Sequence, residues 1–183
     1  MHNLKPQIHI IGGSGSGKSY AAAKLAQHFG VPAHDLDELF WDPAAGRYGS
    51  RVDPLKRDQQ ITAIVAQDDW IIEGVYYQWL DRSFDAADVI IMLTPSIWIR
   101  HWRVVRRFIL RKLGKDSSKR ESLADLFRLL RWSHAYDAAN LSEVRKLMAG
   151  RGRNIIECKT FEEVLAAAES ADHARVGVSS LVS

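Results

Sequence analysis

The chain's 183 residues, 46% apolar and 26% charged, have the balance of a globular protein and suffice for one domain with a substantial core. Its one cysteine, Cys158, excludes an internal disulfide and gives no metal-ligand spacing, so a reducing cytoplasm is the expected setting. No apolar run approaches the length of a membrane span, and the first strand follows Met1 so closely that no signal peptide is expected.

In chain order, Gln7-Ile8-His9-Ile10-Ile11 reads as a short buried strand. It runs into Gly12-Gly13-Ser14-Gly15-Ser16-Gly17-Lys18-Ser19, a full match to the phosphate-binding pattern G-x-x-x-x-G-K-[ST]. Residues 20–26 then read as a helix leading out. Glycines admit positive φ and let the backbone approach a phosphate with no Cβ in the way. The stretch from Gly12 to Tyr20 thereby forms an anion-binding concavity at a helix N-terminus, where orphan amides and the dipole both favour negative charge. Lys18 supplies a point charge for the β- and γ-phosphates, and Ser19 a hydroxyl for Mg²⁺. A Gly/Ser linker is the alternative, but a linker has no reason to sit tightly between a strand and a helix. The stretch predicts binding of a nucleoside triphosphate, with ATP and Mg²⁺ as the expected pair.

Beyond the Gly30 and Pro32 stop signals, residues 33–37 read as a second strand ending in acids, and 42–46 as a loop. Residues 53–67 have helical spacing, with Leu55, Ile61, Ile64 and Val65 on the apolar side. Residues 70–74 form a third strand, and 88–95 a fourth, apolar enough for burial on both faces. A basic helix spans 97–113 and a polar stretch 115–122. Helices follow over 123–136 and 141–148, then a strand over 154–158 and a closing helix over 161–169. Residues 1–172 make one domain, and 173–183 read as a frayed tail. Strands alternating with helices predict a parallel sheet covered on both faces, with the ligand at the strands' carboxyl ends.

Those ends carry a second set of candidates. Asp35-Leu36-Asp37 alternates, so both carboxylates share a side if the strand continues through them. Facing a bound triphosphate they can hold Mg²⁺ through water or take a proton from an attacking hydroxyl. Alternatively they cap a helix beginning near Glu38. Glu73 stands where a metal-holding acid beside the phosphate loop belongs, or else forms an ion pair with a basic side chain. Trp41 and Tyr76 are carried forward as substrate-binding candidates, although core packing is the commoner use of aromatics, here as for Trp79, Trp132 and Tyr77. The histidines show no zinc spacing, and only His34 lies beside the acids.

The net charge of +3 hides an asymmetry. Over 35–88 acids outnumber bases twelve to five, and over 97–131 bases outnumber acids eleven to three. The basic region points to an anionic ligand, whether nucleotide, nucleic acid or lipid surface. Arg100, Arg103, Arg107 and Arg111 share one helix face, and Trp98, Trp102, Val105 and Ile109 make the opposite, apolar side. Arg103 and Arg107 are the catalytic candidates, because planar guanidinium forks match phosphate oxygens. Arg106 and Arg111 are read as solvated.

The phosphate loop, Asp35-Leu36-Asp37-Glu38-Leu39-Phe40-Trp41, Trp70-Ile71-Ile72-Glu73-Gly74-Val75-Tyr76, Ala87 to Ile91 and the arginine-rich helix together resemble adenylate-kinase-like P-loop proteins. The nearest look is to the branch labelled topology modulation proteins, over residues 7–165. The resemblance implies a three-layer αβα fold with a five-stranded parallel sheet. It also implies a substrate-binding insertion after the second strand and an arginine-bearing lid over roughly 97–136. On it, Arg103 and Arg107 match the R-x-x-x-R of nucleotide kinases, and Asp35 and Asp37 the D-x-D of small-molecule kinases such as shikimate kinase. Glu73 stands where that branch has Asp, and Val75 where it has Asn. The lid lacks the cysteines of zinc-bearing adenylate kinases.

The leading expectation is a kinase that moves the γ-phosphoryl group of ATP to a nucleotide or small hydroxyl-bearing acceptor. Lys18, Asp37, Arg103 and Arg107 would be catalytic, and Asp35, Asp37, Trp41, Glu73 and Tyr76 would line the acceptor site. Ser19 and Glu73 would hold Mg²⁺. The alternative is an ATP-binding regulator that contacts nucleic acid through the basic helix, a partner allowed by the pI near 9.1 but not favoured. No membrane partner is expected, and the chain is read as a monomer or weak homodimer. A GTPase is disfavoured because no N-K-x-D follows the fourth strand, and a motor ATPase because that strand ends Leu93-Thr94-Pro95 without an acidic pair.

Overall fold

The computed structural model describes residues 5–42, 50–113 and 123–179. The expected loop over 42–46, apart from Asp42, and the polar stretch over 115–122 fall outside them. Strands β1 (Gln7–Ile11), β2 (Ala33–Asp35), β3 (Trp70–Gly74), β4 (Val89–Leu93) and β5 (Ile155–Cys158) form one five-stranded sheet. Its order is β2-β3-β1-β4-β5 and every pairing is parallel. The helices are α1 (Lys18–Phe29), α2 (Leu36–Phe40), α3 (Pro54–Val65), α4 (Asp81–Ala86), α5 (Ile97–Leu113), α6 (Leu123–Tyr136), α7 (Ser142–Gly150) and α8 (Phe161–Ser179).

β3 and β4 are buried throughout, and β1 everywhere but Gln7, because helices cover both faces. The two-residue period of the strands deals their side chains to two cores. Ile8, Ile10, Ile71, Val89, Ile91 and Leu93 meet Ala21, Ala22 and Leu25 of α1 and Val164 and Ala168 of α8. Ile11, Trp70, Ile72, Ile90 and Met92 meet Ile61 and Ile64 of α3, Phe84 of α4, and Val144 and Met148 of α7. His9 lies on this second face, wholly buried, with its ring 4.4 Å from that of Phe84 and Nδ1 2.7 Å from Ser83 Oγ.

Several elements differ from the sequence expectation. β2 ends at Asp35, not at residue 37, because the Asp35 side chain caps α2 by accepting from the Asp37 amide at 2.8 Å. The two carboxylates therefore do not alternate along a strand. α4 was not anticipated; at six residues it is too short to show a helical period. α6 and α7 are joined by a π-helical turn, Asp137–Leu141, so the expected break before residue 141 is a widened turn. α8 continues past residue 169 to Ser179, into the expected tail.

The largest departure is the rotation of α5. Periodicity put Trp98, Trp102, Val105 and Ile109 inside. Instead Val104, Phe108 and Arg100 are buried, and Trp98, Trp102 and Ile109 are exposed. Guanidinium groups decide the rotation: turned this way, α5 hydrogen-bonds to the Gly15–Ser16 backbone and to α6, contacts that no apolar side chain can make.

Candidate active site

The phosphate loop leaves β1 between β3 and β4, at the carboxyl edge of the sheet. The Gly12 amide donates to Gly74 O at 3.3 Å, tying the loop to the end of β3. A Cβ on Gly12 would lie 2.8 Å from Leu93 O, at the end of β4. Gly15 and Gly17 have φ of 77° and 98°, the left-handed region that side chains disfavour. Gly17 starts α1 without a side-chain cap, and no acid stands in that helix's first turn. Its amides are thus set up as the sequence pattern requires, with Lys18 and Ser19 beginning the helix.

Glu73, the last residue but one of β3, lies opposite Ile10 of β1 and Asp35 of β2. Only 3% of its side chain is exposed, and its Oε2 lies 3.6 Å from Lys18 Nζ. Burial pushes its carboxyl above the ordinary range; Lys18 and a hydrogen bond from Ser19 pull it back, while Asp35 and Asp37 push it further up. Oε2 has no hydrogen-bond partner, and neither does the buried Ser16 Oγ. A buried acid with an open oxygen, beside a lysine and a helix-terminal serine, fits a divalent cation accompanying a polyphosphate. Asp35 also has its carboxyl raised, chiefly by burial, with the Asp37 amide opposing.

Asp37 accepts from Tyr76 Oη at 2.8 Å. Burial and this bond to Asp37 push the Tyr76 phenol far above its usual range. Tyr76 stacks on Phe40 at 4.4 Å, and Trp41 meets the edge of Phe40 at 4.8 Å. Trp79 lies 5.8 Å from Tyr76, and the Arg57 guanidinium sits 4.2 Å over the Trp79 ring. Beside this cluster is a cavity of about 180 Å³ lined by Val75, Tyr76, Tyr77, Gln78, Trp79, Tyr136 and Asn140. Lys18, Glu73, Asp35 and Asp37 thus gather at the loop, and Trp41 and Tyr76 join them through Asp37 and Phe40. His34 neighbours this group and has its ring pKa lowered by burial.

Of the lid candidates, Arg103 reaches the loop: its Nη1 donates to Ser16 O at 2.6 Å and to Gly15 O at 3.4 Å. Arg107, one turn later, is exposed. The arginine that sequence reasoning passed over is Arg100, wholly buried, whose Nη2 donates to Ser133 O at 2.5 Å and to Ser133 Oγ at 2.7 Å. Ser133 Oγ in turn donates to Ser14 O at 3.2 Å. Tyr136 closes the same seam, with its hydroxyl donating to Val75 O at 2.5 Å and its ring against Gly13. A serine and a tyrosine inside a leucine- and arginine-rich helix carry no sequence signal of that role. Phe40 was legible only within the resembling segment.

No family model matches the chain. The uncharacterized protein YqaC of Bacillus subtilis (strain 168) is 26% identical over 142 residues, 78% of this chain and 78% of YqaC. A gluconokinase from Sinorhizobium meliloti 1021 matches in structure with a TM-score of 0.53 and 15% identity, over 98% of each chain. At that identity the likeness is one of fold: a P-loop kinase fold, with a five-stranded parallel sheet between helical layers.

Proposed function

We propose that this chain binds Mg·ATP and transfers the γ-phosphoryl group to a small hydroxyl-bearing or nucleotide acceptor. The observation that carries the reading is the meeting of Lys18, Glu73 and the Asp35/Asp37 pair around the glycine loop. The amides at the start of α1 and the Lys18 ammonium would take the polyphosphate. Glu73 and Ser19 are the residues that would hold Mg²⁺, whose chemistry when bound is to neutralise charge on the β- and γ-phosphates.

Asp37 would orient the acceptor hydroxyl and receive its proton as the acceptor oxygen bonds to the γ-phosphorus. The bond from that phosphorus to the β–γ bridging oxygen breaks, and its electrons leave with ADP. Tyr76 holds Asp37 by donating to one oxygen, which leaves the other for the acceptor. Arg103 and Arg107 would neutralise charge spreading over the transferred group. The aromatic cleft beside Tyr76 supports an acceptor with a flat or ring-shaped body. The nucleic-acid regulator is the weaker reading, because Arg100 is buried against Ser133 and Arg103 is turned to the phosphate loop.

Release of ADP, followed through a coupled assay, tests the proposal against gluconate, other polyols and hydroxy acids, nucleosides and nucleoside monophosphates. Gluconate enters the panel because the structural neighbour is named a gluconokinase. Acceptor-dependent turnover that Lys18→Ala abolishes is expected. Absence of any acceptor-dependent turnover, with no thermal stabilisation by Mg·ATP, would sink the reading.

A further inference from the structure

α5 is amphipathic in the opposite sense from a core helix. Arg100 is buried and Arg103 turns to the glycine loop, while Trp98 is 79% exposed and Trp102 62% exposed. Trp98, Trp102, Val105 and Ile109 follow at intervals of four, three and four, so they form one stripe along the helix. Ile99, Ile109 and Leu110 are exposed too. Scattered exposed apolar residues are ordinary on a protein surface; a continuous run with two indoles on one helix marks a contact surface.

Charge narrows the occupant. The helix carries Arg100, Arg103, Arg106, Arg107, Arg111 and Lys112 and no acid at all. Arg106 and Lys112 are exposed and sit at the margins of the stripe, and the Lys112 ammonium lies 5.2 Å over the Phe108 ring, its stem along apolar surface. Two copies of α5 laid together would bring like charges into register. A reciprocal contact between α5 and the acidic half of a second copy is the competing occupant that sedimentation equilibrium separates below. Nucleic acid wants cations at the centre of the surface; here the centre is aliphatic and aromatic, and Arg103 is turned to the loop.

We propose that the outward face of α5 docks on an anionic lipid bilayer. The helix would lie in the interfacial plane, with Trp98, Trp102 and Ile109 at the headgroup–acyl boundary and Arg106 and Lys112 against headgroup phosphates. Indoles prefer that boundary, and flanking cations add attraction to anionic lipid. The contact is peripheral: no described helix is long and apolar enough to cross a membrane. The acid-rich segment over 35–88 is repelled by the same surface, which favours docking by the α5 side. This goes beyond the phosphotransfer reading and does not rest on it. The expectation of no membrane partner rested on the lack of an apolar run long enough to span a bilayer, which a peripheral contact does not need.

The test is co-sedimentation of the full chain with phosphatidylcholine vesicles, with and without about 30 mol% phosphatidylglycerol. Binding is expected only with the anionic lipid, with a blue shift of tryptophan emission and weakening as salt rises. Trp98→Ser/Trp102→Ser should cut the partition coefficient at least ~10-fold. The surface pair Arg106→Glu/Lys112→Glu should abolish binding, and unchanged thermal denaturation of either variant shows that the fold is intact. Failure of the wild-type chain to sediment with anionic vesicles at low salt overturns the proposal, as does undiminished binding by both variants. So does a concentration-dependent dimer in sedimentation equilibrium, or tighter binding to a single-stranded oligonucleotide, that the tryptophan variant removes.

Discussion

Glu73, Lys18 and the two aspartates divide their roles by how far each is buried. In Glu73 burial outweighs the pull of Lys18 and Ser19, so its carboxyl is raised in the folded protein. A carboxyl raised in the folded state stabilises fully below its unfolded pKa, and that stability is lost as pH rises through the folded value. At pH 8 the ionised group is therefore a burden on the fold. Glu73→Gln should raise the melting temperature of the nucleotide-free protein while slowing ADP release; a lower melting temperature would show that the Lys18 pair dominates. Lys18→Ala should reduce turnover on the order of 10²–10³-fold and erase stabilisation by Mg·ATP in thermal-shift measurements. Asp35 and Asp37 should separate cleanly. Asp35→Ala removes a cap and should cost about 1 kcal/mol in urea unfolding. Asp37→Asn should leave stability nearly unchanged and lower kcat by roughly 10²–10⁴-fold.

Hydrogen bonds from α5 and α6 tie both helices to the glycine loop. Arg100 and Ser133 lock the two helices to Ser14 O, and Arg103 holds Ser16 O from the more exposed side. The two arginines should respond differently to substitution. Ser133→Ala deprives the wholly buried Arg100 of one acceptor and should cost about 1–3 kcal/mol, read from the urea midpoint. Arg103→Ala, at an exposed position, should cost under ~1 kcal/mol of stability yet lower turnover on the order of 10²-fold or more. Equal stability losses would mean that both are structural. The π-helical turn after Tyr136 carries the same helix from the loop to Asn140 in the aromatic cleft. One continuous helical run therefore touches both halves of the candidate site.

Across the fold, the sheet's second core holds an imidazole wholly shielded from water. Burial lowers the His9 pKa from 6.5 to about 3, with Nδ1 on Ser83 Oγ and Nε2 without a hydrogen-bond partner. The folded protein keeps the ring neutral while the unfolded chain protonates near 6.5. Stability from this site is thus whole above pH 6.5 and falls as pH drops toward 3. Across that window the slope is about 1.4 kcal/mol per pH unit. His9→Leu/Ser83→Ala removes the titration along with its partner. Urea unfolding at pH 7.5, 6 and 5 should then show a slope shallower than wild type by about one proton, and an unchanged slope would place the acid sensitivity elsewhere.

Local pattern was enough for the phosphate loop, because the positive φ of Gly15 and Gly17 and the helix start at Lys18 are set within eight residues. It was enough, too, for β1, β3 and β4, whose apolar runs have no other stable place than between two helical layers. It did not locate the end of β2, where the Asp35 carboxylate, accepting from the Asp37 amide, competes with strand extension. Nor could it orient α5. Periodicity establishes that a helix has two faces, but which one turns inward depends on what lies opposite, and the carbonyls of Ser16 and Ser133 are far away along the chain. Only tertiary contact makes burying an arginine and exposing two tryptophans the lower-energy choice, since a guanidinium brings several charged donors to those carbonyls and an indole a single neutral one.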